Sequence, residues 1–172
     1  MFWARSWALD AEVGSKERAS RPEPLLDAEL LYAEKIFRIS RPVSLVAKVN
    51  RAYRTLTGLV VLVEFKSRWI NGTFLSDVVQ LSAQKLALES QTRLRVARFG
   101  YVVVKTPRKG ALYSAHRVEL MPERNVVAMV RRRENFIANR VAPRFAVSRK
   151  VCRTCAFRSA CDSPHLAEAR RG

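Results

Sequence analysis

One short segment constrains the fold more than any other part of the chain. Five consecutive apolar residues, 59–63, lead directly into Glu64, Phe65 and Lys66. A Val-rich run of this length predicts a strand buried in a sheet. Side chains alternate between the two faces of a strand, so Glu64 and Lys66 emerge on the same side. Because a buried carboxylate or ammonium is costly without a partner, the two charges predict either an ion pair at the strand end or a site that coordinates something.

The remaining pattern predicts an α/β or α+β fold with a mixed central sheet flanked by helices. Apolar periodicity and the positions of Gly and Pro give the order of the elements: a helix at 25–37, strands at 45–50 and 59–66, a helix at 74–90, strands at 101–105 and 112–120, and a helix from 122 to about 141. Residues 1–24 lack clear periodicity and are predicted to form a flexible arm. We therefore expect an arm at 1–24, a core at 25–142 and a basic tail with a cysteine cluster at 143–172.

The chain is strongly basic, with 32 Lys and Arg residues against 15 Asp and Glu and a formal net charge of +17. Each neutralised phosphate releases counterions, so this excess favours nucleic acid over an acidic or neutral partner. A basic soluble protein without such a partner is the plain alternative. No stretch approaches the roughly 20 apolar residues that span a bilayer, so we expect a cytoplasmic protein without a membrane partner.

Phosphodiester hydrolysis would give Glu64 and Lys66 a chemical role. Carboxylate oxygens hold Mg²⁺ or Mn²⁺, and the ion together with a nearby ammonium stabilises the charge that grows on phosphorus and activates a water. The alternative is a structural ion pair at the rim of the sheet, and the Glu-x-Lys motif alone does not choose between the two.

The segments 46–53 and 59–68, followed by Gln80, resemble the RecB-type nucleases and the CRISPR-associated adaptation exonucleases of the PD-(D/E)XK class. In those families one apolar strand ends in Asp, a second ends in Asp/Glu-x-Lys some fourteen residues later, and a helix with Gln-hydrophobic-x-x-Tyr follows. Asn50 and Glu64 have this spacing, and Gln84 stands where the Tyr would be. The resemblance covers residues 25–90 and implies a restriction-endonuclease-like core. It also implies that Glu64 and residue 50 hold Mg²⁺ or Mn²⁺, that Lys66 polarises the scissile phosphate or the attacking water, and that Gln80 supports this geometry.

Two departures from the family pattern concern the metal ligands. Asn50 stands in place of the metal-binding Asp, and an amide oxygen is a weaker ligand for a hard cation. Either the natural protein has lost or softened metal binding, or the residue is an engineered Asp-to-Asn change. The His that usually precedes the first strand is absent, and Glu29, on the apolar face of the predicted first helix, resembles the first-helix Glu of other branches. Glu29 is thus a third candidate ligand, with capping or pairing to an Arg as the alternative.

Further residues are candidates for contacts with nucleic acid. Gln80 and Gln84 lie one turn apart on the predicted central helix, where they would either serve the site or form a solvent-facing stripe. Trp69 would either stack on an unpaired base or pack in the core. The predicted nucleic-acid contacts are Arg68, Trp69, Gln84, Arg131, Arg132, Arg133, Arg149, Lys150, Arg153 and Arg158.

The three cysteines, Cys152, Cys155 and Cys161, form a C-x2-C-x5-C cluster, whose close spacing favours a common metal centre. The cluster also resembles the C-terminal part of the iron-sulfur box of AddB-type and CRISPR-associated nucleases, although no upstream Cys supplies the fourth ligand. His165 would complete a Cys3His zinc site locally. Three interpretations stay open: a vestigial cluster of thiols, a Zn²⁺ site and a [4Fe-4S] cluster.

Together these patterns predict a divalent-metal-dependent, exonuclease-like deoxyribonuclease of the RecB type, impaired by Asn50, that acts on single- or double-stranded DNA. A protein partner in a DNA-processing complex would fit this role. Two alternatives stay open: a non-catalytic DNA-binding or adaptor protein on a degenerate nuclease fold, and a small zinc-containing module that binds RNA or protein.

Overall fold

The structure is a computed structural model that describes residues 18, 20–107, 113–142, 149–153, 155–156 and 158–161. Contacts between Cα atoms divide the chain into two compact units, 1–131 and 132–172. Most of the predicted arm at 1–24 lies outside the described residues, and the predicted boundaries at 24 and 142 stay predictions.

The first unit is built on a five-stranded mixed sheet whose strands lie in chain order. The strands are β1 (Glu29–Ile39), β2 (Leu45–Arg54), β3 (Val60–Ser67), β4 (Val96–Lys105) and β5 (Tyr113–Glu119). Neighbours pair antiparallel except β3 and β4, which are parallel. Helix α1 (Leu75–Thr92) connects those two strands, as a parallel pair requires. The predicted mixed sheet, both hairpins and the central helix are confirmed.

The predicted helix at 25–37 is wrong. A short 3-10 turn (Glu23–Leu25) is followed by β1, which pairs along most of its length with β2. The register shifts between Leu30 and Tyr32, and Glu34 has a left-handed φ of 52°. These two irregularities disturb the alternation that would identify a strand, and pairing with β2 overrides the helical spacing of the apolar residues.

Apolar side chains cover both faces of the sheet. Val60 and Leu62 of β3 pack with Leu81 of α1 on one face, whereas Val61 and Val63 belong to a second buried cluster on the opposite face. The alternation along β3 therefore directs Glu64 and Lys66, which continue the series Val60 and Leu62, toward the face that carries α1.

Helix α2 (Glu123–Ile137) begins in the first unit, where Val126 and Val127 form a third buried cluster with Val43 and Leu86. In the second unit the helix ends at Ile137, and Asn139, two residues further on, has a left-handed φ of 54°. A short helix, α3 (Arg149–Arg153), and a 3-10 turn (Arg158–Ala160) complete the described part of that unit. No helix among the described residues is long and apolar enough to cross a membrane.

Gly100 of β4 lies where β3 and α1 leave no room for a side chain. A Cβ atom at this position would lie 2.9 Å from the backbone oxygen of Leu62 and 3.5 Å from a methyl carbon of Leu81. Because one of these neighbours is backbone, the clash is not relieved by a rotamer change. Glycine is thus required where the parallel strands and α1 meet.

We predict that Gly100→Ala lowers the free energy of unfolding by about 1–3 kcal/mol, since overpacking forces the sheet apart. Urea unfolding followed by circular dichroism measures the change. Gly72→Ala is the matched control, because a Cβ atom there meets nothing within 4 Å. Equal effects of the two substitutions would contradict the assigned close approach.

Candidate active site

Glu64 lies near the end of β3 and is almost completely buried, with 2% of its surface exposed. Its position follows from the strand, since an apolar stretch anchors β3 in the sheet and alternation turns residue 64 toward α1. A carboxylate so placed needs hydrogen-bond donors or a cation.

The donors come from the same strand and from α1. Glu64 Oε1 accepts a hydrogen bond from Lys66 Nζ at 2.9 Å and another from Gln80 Nε2 at 2.8 Å. Its Oε2 accepts a third from Gln84 Nε2 at 2.8 Å. The two glutamines lie one helical turn apart, so a single face of α1 clamps both carboxylate oxygens. The structure therefore brings Glu64, Lys66, Gln80 and Gln84 into one network.

Lys66 is held by two acceptors. Its Nζ donates to Glu64 Oε1 and also to Gln80 Oε1 at 2.7 Å. An ammonium carries three protons, so these two bonds leave one proton of Lys66 for a further acceptor. The side chain retains 26% of its exposure, which gives that proton access to solvent. Gln80 therefore accepts a hydrogen bond from the Lys66 ammonium and donates one to the Glu64 carboxylate.

Asn50 adjoins this network from β2. The pairing between β2 and β3 ends at Arg51 and Val63. Beyond this pair the Asn50 side chain bonds β3 in place of the backbone, because its Oδ1 accepts a hydrogen bond from the Phe65 backbone N–H at 3.1 Å. Its Nδ2 donates to Glu34 Oε1 at 3.0 Å. Both ends of the amide are therefore hydrogen-bonded. An ionised Asp at this position could not make the second bond, because it has no proton to donate to Glu34.

Glu34 is a site residue that the sequence reasoning missed. It lies on β1 opposite Asn50, between the registered partners Ala33–Arg51 and Lys35–Val49, and it forms an ion pair with Lys48. The hydrogen bond from Lys48 outweighs the opposing effect of burial and, with the charge of Lys48 and the Asn50 hydrogen bond, lowers the pKa of Glu34 below its ordinary value. Reading 29–39 as a strand would have aligned Glu34 with Asn50, but the helical interpretation concealed this pairing.

The network and the neighbouring Asn50 and Glu34 contain the carboxylate and amide oxygens that Mg²⁺ and Mn²⁺ prefer as ligands. Glu64 and Glu34 supply carboxylates, Asn50 supplies an amide, and Gln84 supplies a buried Oε1 that has no hydrogen-bond partner in the described structure. Only two of these four residues are carboxylates, and no group of three His, Cys, Asp or Glu side chains among the described residues is arranged to hold a metal ion. The ligand atoms are therefore of the type that binds a hard divalent cation, but they carry too little negative charge to bind it strongly.

Glu29 lies apart from this network. It is exposed on the edge strand β1, where its Oε2 pairs with Arg54 Nη2 at 2.7 Å. Arg54 is four residues along β2 from Asn50, or about 13 Å at the rise of a strand. The prediction of an inward-facing helical carboxylate at Glu29 is wrong because the segment is an edge strand, and the alternative of pairing with an Arg describes what Glu29 does.

Two predicted nucleic-acid contacts have structural partners instead. Gln84 is 1% exposed and also donates to the Lys48 carbonyl at 2.9 Å, so its side chain serves the buried network. Arg68 donates to Asp77 Oδ1 at 3.2 Å and Oδ2 at 2.7 Å, and its guanidinium lies 4.5 Å from the ring centre of Phe74. Burial leaves Gln84 no surface for a direct nucleic-acid contact, whereas Arg68 is half-buried, with 18% of its side chain exposed, and its contact with nucleic acid stays a prediction.

Asp77 joins Arg68 to the start of α1. Its Oδ2 also accepts the Phe74 backbone N–H at 2.9 Å, which caps the first turn of the helix. Burial acts to raise the pKa of Asp77, but the hydrogen bonds from Arg68 and Phe74 and the positive charges of Arg68 and Lys66 together lower the pKa below its ordinary value. Asp77 therefore stays ionised and keeps Arg68 in place.

The other predicted nucleic-acid contacts lie on the surface where the structure describes their side chains. Trp69 is 71% exposed, and Arg131, Arg132 and Arg133 are exposed on α2, where Arg132 stacks over Phe136 at 4.7 Å. Arg153 and Arg158 are exposed in the second unit. Arg149 and Lys150 belong to α3, but their side chains are outside the described part of the structure. Nucleic-acid binding by these residues stays a prediction.

The cysteine cluster lies in the second unit. Cys152 is buried on α3, Cys155 is exposed and Cys161 is half-buried, and none of the three forms a disulfide. The Cys155 backbone N–H donates to the Cys152 carbonyl at 3.3 Å, so a tight turn joins the first two. His165 lies outside the described residues. The vestigial, zinc and iron-sulfur interpretations all stay predictions.

Comparison with known proteins bears on the fold. No protein-family model and no curated protein matches the chain. One matching solved structure, SSO0001, is 18% identical over 93% of this chain and 73% of its own, with a TM-score of 0.48. Another, a protein from Eubacterium rectale named a putative exonuclease, is 12% identical over 86% of this chain, with a TM-score of 0.51. The chain spans 58% of the length of the Eubacterium rectale protein.

At these identities the likeness concerns the fold alone. The five-stranded mixed sheet with its helices is consistent with a PD-(D/E)XK-like core, as the sequence predicts. The Glu-x-Lys strand of that core faces a helix that carries the two glutamines.

We predict that Asp77→Asn lowers the free energy of unfolding at pH 7 by about 3–5 kcal/mol, because the substitution leaves the buried Arg68 guanidinium without its counterion. The folded-state pKa of Asp77 is lowered, so its ionisation stabilises the fold above the unfolded-state pKa of 3.8, and this contribution is lost as the pH falls through the lower folded-state pKa. The stability difference between the two proteins should therefore shrink below about pH 4.

Urea unfolding at pH 7, 5, 4 and 3 measures this difference. Glu29→Gln is the control, since an exposed ion pair contributes only about 0–1 kcal/mol. A loss for Asp77→Asn no larger than that of the control would show that Arg68 does not depend on its partner.

Proposed function

We propose that this protein is a nuclease of the PD-(D/E)XK class, which hydrolyses phosphodiester bonds of DNA at a site formed by Glu64, Lys66, Gln80 and Asn50. Exonuclease-like action on single- or double-stranded DNA, in the manner of the RecB-type families, is the form we propose. The net charge of +17 supports a polyanionic substrate.

A single observation carries the proposal: a buried carboxylate and a partly exposed ammonium share one strand, and a glutamine hydrogen-bonds both. Gln80 donates to Glu64 Oε1 and accepts from Lys66 Nζ, so it fixes the two groups relative to each other. A structural ion pair at a sheet rim does not need a bridging side chain from a helix. Preorganisation of this kind is what stabilisation of a developing charge requires.

Each residue has a definite task in the proposed reaction. A divalent ion, when bound, would supply Lewis acidity and lower the pKa of a water molecule. Glu64, Asn50 and Glu34 would hold that ion, and Gln84 would keep the Glu64 carboxylate in place. The third N–H of Lys66 would donate a hydrogen bond to a nonbridging phosphate oxygen. The attacking water would lose a proton to solvent, and the leaving sugar oxygen would take a proton from solvent as its bond to phosphorus breaks.

Asn50 makes this site weak. Its neutral amide replaces a carboxylate, and its Nδ2 donates to Glu34 instead of leaving that carboxylate available to a cation. An Asp at position 50 could still accept the Phe65 N–H, but it could not donate to Glu34. The site would then gain a carboxylate, and Glu34 Oε1 would lose its donor while Oε2 kept its ion pair with Lys48. We therefore attribute low divalent-ion affinity to the protein as it stands.

The Eubacterium rectale protein is named a putative exonuclease, which is the class of enzyme that we propose for this chain. The similarity in fold alone does not carry the activity to this chain. The proposal therefore depends on the residues of the site.

We predict that Asn50→Asp increases the rate of DNA hydrolysis with Mn²⁺ at least about tenfold over the unsubstituted protein, because it restores a charged ligand. Labelled linear single-stranded and duplex DNA, incubated with the full chain and resolved on denaturing gels, gives the rate. Adding Glu64→Ala or Lys66→Ala to Asn50→Asp should abolish the gain, and so should EDTA.

A matched control is Asn50→Asp combined with Glu29→Gln, because Glu29 lies outside the network and should leave the gain intact. A folded Asn50→Asp protein that binds DNA and Mn²⁺ but does not cleave would overturn the nuclease proposal. Circular dichroism and Mn²⁺ titration calorimetry establish that the variant is folded and binds the ion.

A second candidate function is a non-catalytic DNA-binding or adaptor protein on a degenerate nuclease fold. Two features favour it: both ends of the Asn50 amide are occupied, and both oxygens of Glu64 have donors from the protein itself. A site that is satisfied without a cation is stable without one. The failure of Asn50→Asp to cleave, with DNA binding retained, is the outcome that this candidate expects.

A further inference from the structure

The segment between β3 and α1, Arg68–Phe74, carries the most exposed aromatic side chain described near the candidate site. Trp69 is 71% exposed and Ile70 is 62% exposed, only three and four residues beyond Lys66. Scattered apolar residues on a surface need no explanation, but Trp69 and Ile70 are adjacent in the chain and both exposed, and they form an apolar surface of the kind that binds a partner.

This loop is fixed to α1 at its base. The Arg68 guanidinium bonds both oxygens of Asp77, lies over the Phe74 ring and donates to the Gly72 carbonyl. Arg68 and Asp77 are largely buried, with 18% and 3% of their side chains exposed. The ion pair and the stacked ring set the shape of the loop on that side.

The loop is also fixed to the edge strand β5. Asn71 Nδ2 lies 3.0 Å from Ser114 Oγ, and Asn71 Oδ1 lies 2.8 Å from His116 Nε2. Hydrogen bonds therefore hold the loop from two different elements, while Trp69 and Ile70 between the anchor points stay exposed. A preorganised aromatic surface loses little conformational entropy when a partner binds.

Positive charge and a second aromatic ring lie at the same end of the sheet. Ser67 of β3 is in register with Lys105 of β4, and Lys105 is in register with Tyr113 of β5. Lys105 is exposed, and its Nζ lies 5.8 Å from the centre of the Tyr113 ring. The Arg68 backbone N–H donates to the Lys105 carbonyl at 3.3 Å, so the residue before Trp69 adjoins a strand that carries this cation and its aromatic partner. A cation together with exposed aromatic rings is the combination of groups that binds single-stranded nucleic acid.

We propose that Trp69, with Ile70 beside it, is a stacking platform for an unpaired base of single-stranded DNA, whose phosphate backbone passes the end of the sheet that carries Lys105. This proposal rests on the proposed function for its choice of ligand and makes that function specific for unpaired strands. Stacking is tolerant of sequence because every base has a π-face, so the platform selects strand state without reading bases. A blunt duplex has no unpaired base that could stack on Trp69.

The test measures binding without cleavage. A labelled oligothymidylate and a blunt duplex of equal length are titrated with the full chain in EDTA by fluorescence anisotropy. Trp69→Ala should weaken single-strand binding about five- to a hundredfold, the range found for loss of one base–aromatic stack. Duplex binding should change less than about twofold, since its contacts are to phosphates. Trp69→Phe should retain most of the single-strand affinity.

Leu56→Ala is the matched control, because Leu56 is 92% exposed on the turn between β2 and β3, at the other end of β3 from Trp69. It should leave both affinities unchanged. The slope of log affinity against log salt should be the same for Trp69→Ala and the unsubstituted protein, because no phosphate contact is removed.

A spectroscopic readout tests stacking directly. The chain has three Trp residues, so Trp3→Phe with Trp7→Phe leaves Trp69 as the only one. Its emission should be quenched by oligothymidylate and not by the duplex. Three results would each overturn the platform. They are unchanged Trp69 emission on adding oligothymidylate, equal losses of affinity for single strand and duplex in Trp69→Ala, and a change in the oligomeric state of Trp69→Ala on size-exclusion chromatography without weaker DNA binding.

The two proposals fail separately. If Trp69 binds single strands as described while Asn50→Asp does not cleave with Mn²⁺, the nuclease proposal is overturned and the platform stands. If cleavage is gained but single strands bind Trp69→Ala as tightly as the unsubstituted protein, the platform is overturned and the nuclease proposal stands.

Discussion

The burial of Glu64 is the constraint on which the rest of the site depends. A carboxylate with 2% exposure needs donors on both oxygens, and they come from Lys66 on its own strand and from two glutamines on α1. This requirement fixes the rotation of α1 above β3. Because α1 is also the connection between the parallel strands β3 and β4, the same hydrogen bonds that build the site reinforce the crossover of the fold.

The parts of the fold that could be predicted are those in which local pattern and tertiary environment agree. The run before Glu64 is apolar on both faces of the strand, and the structure buries it in the centre of the sheet. The segment after Gly72 lacks helix breakers and forms α1. The helix predicted for the segment 29–39 is wrong because the apolar residues there repeat at helical spacing. The conformation of the segment is decided by its pairing with β2, which no local pattern encodes.

The site residues divide in the same way. Strand alternation, a local rule, placed Glu64 and Lys66 on the same side, and the resemblance to the RecB-type families added Asn50 and Gln80. The partners of Arg68 and Glu34 were not visible in the sequence, since Arg68 meets Asp77 only after the loop folds back, and Glu34 meets Asn50 only through the pairing of β1 with β2. A charged residue in a basic protein therefore cannot be assigned to nucleic acid from its charge alone, because an internal carboxylate competes for it.

Asn50 stabilises the site in the absence of a cation, and an aspartate at this position would not. Its amide bonds a backbone N–H with one end and the Glu34 carboxylate with the other, so the β1–β2 side of the site is satisfied without a cation. With a carboxylate at position 50, two negative groups would face each other across the same short distance, and the repulsion would be relieved by a cation or by protonation. Cation affinity and cation-free stability are therefore opposed at this position, and the amide favours stability. The base-stacking surface at Trp69 is independent of this balance, because its anchors, Asp77, Ser114 and His116, form no described hydrogen bond to Asn50 or Glu34.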